Sequence, residues 1–178
     1  ENIFGMDCFD DSQFDSFLQS NNCILVVKLH PAEQAFFNEK IKSTDNIFLL
    51  GDHILASHGV DLYEVLNSTD ILITDYSSVF FDFLLLDRPI VFTPTDIDTY
   101  CERRGFLLEP YDKWTPGEKA LDQIDLESAI IESLLNPSKH AESRQEIRSV
   151  VHHFKDGNSS ERVWNLIENI VFQKRIVV

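Results

Sequence analysis

Asp70-Ile71-Leu72-Ile73-Thr74-Asp75-Tyr76-Ser77-Ser78-Val79-Phe80-Phe81-Asp82-Phe83 is the stretch from which the rest of the chain is read. Residues 70–75 are a short apolar run, as a strand buried on both faces requires. From Ser77 to Leu86 the chain is apolar almost all round, which predicts a helix inside the core. Strand, two-serine turn and helix start succeed one another directly. Free backbone N–H groups at a helix start, with Ser hydroxyls beside them, suit an anion. An ordinary N-cap by Ser77 or Asp75 accounts for the same residues as simply. Asp82 is the one charge in the core helix and lies about one turn in. It suits ribose hydroxyls, the partner of acidic residues in nucleotide sites, or it reaches solvent at the helix surface.

Working outward, the apolar runs at 23–29, 47–50 and 89–92 predict further strands. Helices are expected over 11–18, 32–40, 61–68, 125–136, 138–151 and 159–174, with 93–124 loop-rich. Strands alternating with helices give an α/β fold, a Rossmann-like parallel sheet flanked by helices, read as one domain over 1–178. In such sheets ligands bind beyond the carboxyl ends of the strands. His30 comes just after the first strand, where it donates to a phosphate or shuttles a proton, or simply closes the strand in a solvated loop. Arg103 and Arg104, beside Gly105, form a local cationic spot able to clamp phosphate. The alternative is ion pairing with Asp96, Asp98 or Glu102. Near the end, Asp156-Gly157-Asn158-Ser159-Ser160-Glu161-Arg162 opens the last helix, and Asn158 with Glu161 reads as a capping box. The functional reading adds Gly157, Asn158, Ser159, Ser160 and Arg162 as phosphate donors. His152 and His153 read as surface helix residues.

Composition sets the outer bounds. With 178 residues, 43% of them hydrophobic, the chain has enough apolar surface for a real core, which excludes a disordered or disulfide-scaffold class. Thirty Asp+Glu against fifteen Lys+Arg give a net charge of -15, a field that repels nucleic acid and anionic membrane in bulk. No apolar run approaches the roughly 18 residues of a membrane span, and no leader-like segment opens the chain. Cys8, Cys23 and Cys101 form neither a zinc pattern nor a disulfide framework. No metal and no cofactor are expected. Any anionic ligand must then be met by a small positive cleft in a negative surface.

Together these residues resemble the CDP-glycerol glycerophosphotransferase family, the teichoic acid polymerases. The resemblance runs in family order over about residues 23–172. It passes through Lys28-Leu29-His30-Pro31, Asp61-Leu62-Tyr63, the 70–83 stretch, Asp87-Arg88-Pro89-Ile90, Arg104-Gly105-Phe106, Pro116-Gly117 and the 156–162 segment. It implies the C-terminal, donor-binding half of a GT-B fold, in which two Rossmann-like domains enclose the active site. The amino-terminal acceptor domain has no counterpart here, so the chain alone is expected to be inactive.

The implied reaction is attack by a hydroxyl of a cell-wall or capsule polymer on the polyol phosphate of CDP-glycerol or a related CDP-polyol, with release of CMP. A polymer or lipid-linked acceptor would be met through the missing half. By the resemblance His30 contacts the donor diphosphate. Ser77 and Ser78 cradle it after Asp75, with Ser159, Ser160 and Arg162 nearby, and Asp82 faces the ribose. The implied location is cytoplasmic, at the inner face of the cell membrane in a full-length protein. The alternatives are a GT-B glycosyltransferase or UDP-sugar epimerase domain, or a nucleotide-binding module without catalysis.

Overall fold

The computed structural model describes residues 2–29, 37 and 43–174. His30, and the helix expected over 32–40 apart from Phe37, lie outside them. Two short parallel ladders carry the architecture. Strand β1 (Leu25–Val27) pairs with β2 (Ile47–Leu49). Strands β3 (Leu72–Thr74), β4 (Ile90–Phe92) and β5 (Glu118–Lys119) form the second ladder in the order β3-β4-β5. The helices are α1 (Asp11–Ser20), α2 (Asp52–His58), α3 (Leu62–Asn67), α4 (Val79–Phe83), α5 (Ile97–Arg103), α6 (Tyr111–Trp114), α7 (Gln123–Leu135), α8 (Ala141–Val151) and α9 (Ser159–Lys174).

The expected α/β fold with a parallel sheet flanked by helices is therefore present, with its sheet in two hydrogen-bonded pieces. One apolar cluster spans both: Val27 and Ile47 from the first piece pack with Val91 from the second. Central β4 is buried on both faces, and its alternation sorts its side chains into two layers. Val91 joins Phe14 and Leu18 of α1 and Leu126, Ala129 and Ile130 of α7. Ile90 and Phe92 join Leu66, Phe80, Phe83, Leu84 and Ile147 on the other face. A parallel sheet covered in this way must read as continuous apolar sequence, which is why 70–75 and 89–92 are legible as strands.

Three regions differ from expectation. The core helix expected from Ser77 to Leu86 is α4 for five residues and then a 3₁₀ turn, Leu84–Leu86, closed by Asp87 at φ 52°. The loop-rich 93–124 holds α5, α6 and β5. Strand β5 is two charged residues, so no apolar run announces it; only its pairing with Val91 and Phe92 makes it a strand. Helix α2 is the third, capped at its end by Gly59 in the left-handed region. Residues 2–10 are built in rather than loose. Asp10 caps α1 through the N–H groups of Ser12 and Gln13, and its own N–H donates to Gln123 Oε1 at 2.8 Å.

Helix α9 has a different character. Val163, Trp164, Leu166, Ile167, Ile170, Val171 and Phe172 are 46–61% exposed, so its apolar face is left largely open among the described residues. No helix among the described residues is long and apolar enough to cross a membrane.

Candidate functional site

The carboxyl ends of the strands collect the chemistry. β3 ends at buried Thr74, and Asp75 then turns the chain by accepting the Ser77 N–H at 3.1 Å. Asp75 thus shapes the turn, and the N-cap expected at Ser77 or Asp75 falls instead on Ser78. Ser78 stands at the N-cap position of α4 in α-helical conformation (φ -65°, ψ -8°) and makes no side-chain cap bond. Both serines are exposed, and among the described residues neither hydroxyl has a partner. A β-region N-cap would have turned the Ser78 hydroxyl back onto the helix; this geometry leaves it, and the first N–H groups of the helix, available. With α4 only five residues long, hydroxyls and N–H groups rather than a summed dipole carry any attraction for an anion.

Asp82 is half-buried on α4, and its Oδ2 accepts from the Tyr63 hydroxyl at a long 3.5 Å. Tyr63 is itself 61% exposed, so the pair opens to solvent and the carboxylate keeps acceptor capacity.

Tyr76 is the feature that sequence reading missed. Its ring stacks on Tyr100 of α5 at 3.9 Å and meets Phe106 at 5.8 Å and Tyr111 at 6.0 Å. Its hydroxyl donates to Asp96 Oδ1 at 2.9 Å. Burial first, and the Asp96 bond second, push that hydroxyl well above the usual tyrosine range. Each aromatic is visible in the sequence, but nothing local says that residues 76, 100, 106 and 111 meet.

This cluster fastens α5 beside the Ser77–Ser78 turn. Arg103 ends α5 and Arg104 caps it, both exposed and without ion pairs among the described residues. Pairing with Asp96, Asp98 or Glu102 is not formed among the described residues, and Asp96 instead accepts from Tyr76.

At the other helix start the outcome is different. Arg162 donates to both oxygens of Asp156 at 2.9 Å and to Ser159 Oγ at 3.2 Å. Its guanidinium lies 3.8 Å over the Phe154 ring. The Arg162 guanidinium first, and the Asn158 N–H second, hold the Asp156 carboxyl down at about 2. Arg162 and Ser159 are thus committed inside their own turn. The N-x-x-E capping box expected from Asn158 and Glu161 is not formed: Asp156 takes the Asn158 N–H at 3.1 Å instead. An Asp two residues upstream wins because Gly157, at φ 74°, permits the tight reversal. Ser160 is exposed and free of partners among the described residues. No described contact joins this turn to Ser77 and Ser78.

Near the first ladder, Lys28 lies just past β1 and pairs with Asp52, the first residue of α2, at 3.1 Å. The ends of β1 and β2 are thereby tied together.

The sequence model of the CDP-Glycerol:Poly(glycerophosphate) glycerophosphotransferase family matches residues 1–169. The chain belongs to this family.

Among glycerophosphotransferase-family relatives, the teichoic acid glycerol-phosphate primase of Bacillus subtilis (strain 168) is 35% identical over 151 residues, covering 83% of this chain and 35% of that protein. The teichoic acid poly(ribitol-phosphate) polymerase of Bacillus spizizenii is 38% identical over 115 residues, 63% of this chain and 17% of that protein. A substituted form of the wall teichoic acid polymerase TagF superposes with a TM-score of 0.71 over 94% of this chain and 40% of that one, at 20% identity. The chain therefore spans about a third or less of the length of these two curated relatives.

Proposed function

We propose that this chain is the donor-binding part of a transferase that passes a polyol phosphate from a CDP-activated donor to an acceptor hydroxyl. The observation that carries the reading is the Asp75–Ser78 turn, where the Ser77 and Ser78 hydroxyls and the first N–H groups of α4 have no partner among the described residues, beside Arg103 and Arg104, which form no ion pair among them. A donor diphosphate asks for such groups, because charge grows on the departing phosphate as the reaction proceeds. Membership in a family described by CDP-glycerol supports the donor class. Relatives named for both glycerol and ribitol phosphate leave the polyol open between the two.

In this scheme the acceptor hydroxyl oxygen attacks the phosphorus next to the polyol, and its proton is released to solvent. The bond from that phosphorus to the bridging oxygen breaks, and CMP leaves with the electron pair. His30, outside the described residues, is assigned to the diphosphate and Asp82 to the ribose. Ser159, Ser160 and Arg162 are assigned a supporting role that requires the Asp156–Arg162 pair to open or to stay at the rim. The acceptor site is assigned to a further domain, and the reaction to the cytoplasm, at the inner face of the membrane where a lipid-linked acceptor would be reached.

Titration calorimetry of this chain with CDP-glycerol, CDP-ribitol, CMP and a UDP-sugar tests the proposal. Binding of the CDP ligands, weakened by salt, is expected. Preference for the UDP-sugar would favour a glycosyltransferase or epimerase reading, and binding of none would remove the donor assignment.

A further inference from the structure

His152 sits between α8 and α9, half-buried, with its Nε2 2.7 Å from the carbonyl oxygen of Phe81. A carbonyl only accepts, so Nε2 carries the hydrogen and the ring donates. Phe81 lies in the last turn of α4, where carbonyls run out of intrahelical donors. A histidine from a distant segment caps it, as basic side chains do at helix ends.

The segment beyond His152 has no other such tie. Among the described residues, every side-chain hydrogen bond, ion pair and ring contact made by residues 153–172 is internal to that segment: His153 with Phe154, Phe154 with Arg162, and Arg162 with Asp156 and Ser159, together with Asp156 taking the Asn158 N–H. The apolar side chains of α9 are largely open among the described residues, so little packing holds it either. We infer that His152 is a positioning residue for the donor site, fixing the 156–160 turn relative to α4, the helix that begins at Ser78.

The lengths allow it. From His152 to Asn158 the chain spans at most roughly 20 Å fully extended, and Phe81 lies about one helical turn from Ser78. One hydrogen bond therefore anchors the short lead into the second helix start at the helix that carries the first. A free lead would sample many positions, and the entropy of ordering it would be charged against ligand binding. This rests on the proposed donor site, which both helix starts are taken to serve.

Three forms of the chain test it: wild type, His152→Ala, and His152→Gln, whose amide N–H reaches the same carbonyl. Two readouts are taken, backbone amide exchange and calorimetric affinity for CDP-glycerol. In His152→Ala, exchange across 153–174 should rise severalfold while 79–92 keeps its protection, and the dissociation constant should rise about tenfold. His152→Gln should restore both. An alanine variant with wild-type exchange and affinity overturns the inference, as does an affinity loss that glutamine leaves unrepaired. If wild type binds no CDP ligand, the donor reading fails separately, and the exchange comparison still decides whether His152 holds the segment.

Discussion

Gly117 shows how one missing side chain shapes the sheet. A Cβ built there would stand 2.0 Å from the Ile90 carbonyl oxygen, a backbone atom of the central strand that has nowhere to move. Gly117→Ala should cost about 3 kcal/mol, at the upper end of overpacking effects, read as a lower urea midpoint with unchanged slope. Lys119, next to the same turn, donates to the carbonyls of Thr115 and Gly117 at 2.6 and 3.1 Å and lies 4.7 Å from the Phe92 ring centre. Burial pushes its ammonium down to about 8. Between that value and an unfolded value near 10.5 the unfolded chain binds the extra proton, so stability rises with pH across that window. Above about 10 the opposite holds, because burial keeps the Tyr76 and Tyr111 hydroxyls protonated in the fold. The melting temperature should climb from pH 8 toward 10 and then fall; in Lys119→Met the climb should vanish and the fall remain. His30 belongs to this scale through chemistry alone. In a full-length enzyme His30→Ala should cut turnover by roughly 10² or more, and wild-type turnover would end its assignment to the diphosphate.

Helix starts illustrate what short-range sequence decides. Asp61 and Glu64 form a reciprocal capping box at α3, with the Glu64 N–H donating to Asp61 at 2.9 Å and the Asp61 N–H donating to Glu64 at 3.3 Å. Asp61→Ala should cost about 1 kcal/mol, measured by thermal unfolding. Asn158 and Glu161 have the same spacing and do not form the box, because Asp156 and Gly157 offer a tighter turn. Spacing marks that a helix begins; which oxygen caps it depends on competition among neighbours. At the Ser77–Ser78 turn, strand and helix are both legible from apolar content, whereas the N-cap expected at Ser77 or Asp75 falls on Ser78 and Asp75 accepts the Ser77 N–H instead. The break from α-helix to 3₁₀ after Phe83 is not legible, since Leu84, Leu85 and Leu86 suit either helix and the packing of Leu84 and Phe83 against β4 and Ile147 selects one.

Across the whole molecule, charge and apolar surface are unevenly placed. The chain carries -15 overall, yet Arg103 and Arg104 stand exposed, without ion pairs among the described residues, on the helix that Tyr76 and Tyr100 hold beside the serine turn. Apolar burial is complete at β4 and slight on α9. An exposed stripe this wide marks a surface for contact rather than core. Replacing Ile167 and Ile170 together by Glu should leave the stability of this chain within about 0.5 kcal/mol, since both are about half exposed on the surface. A larger loss in chemical denaturation would mean that α9 packs on the domain after all.

The sequence by itself determined the α/β class, the parallel strands, the buried core and the turn at Asp75–Ser78. Each depends on neighbours within a few residues, through apolar runs, hydrogen-bonding turn residues and helix starts. Only the tertiary structure decided that β5 joins the ladder, that Tyr76, Tyr100, Phe106 and Tyr111 meet, that Arg162 is held by Asp156, and that His152 caps α4. With the exception of the Arg162 pair, which is a contest between local partners, these are contacts between segments far apart in the chain. Their free energy comes from burial and pairing that exist only once the sheet has assembled, so no local pattern records them.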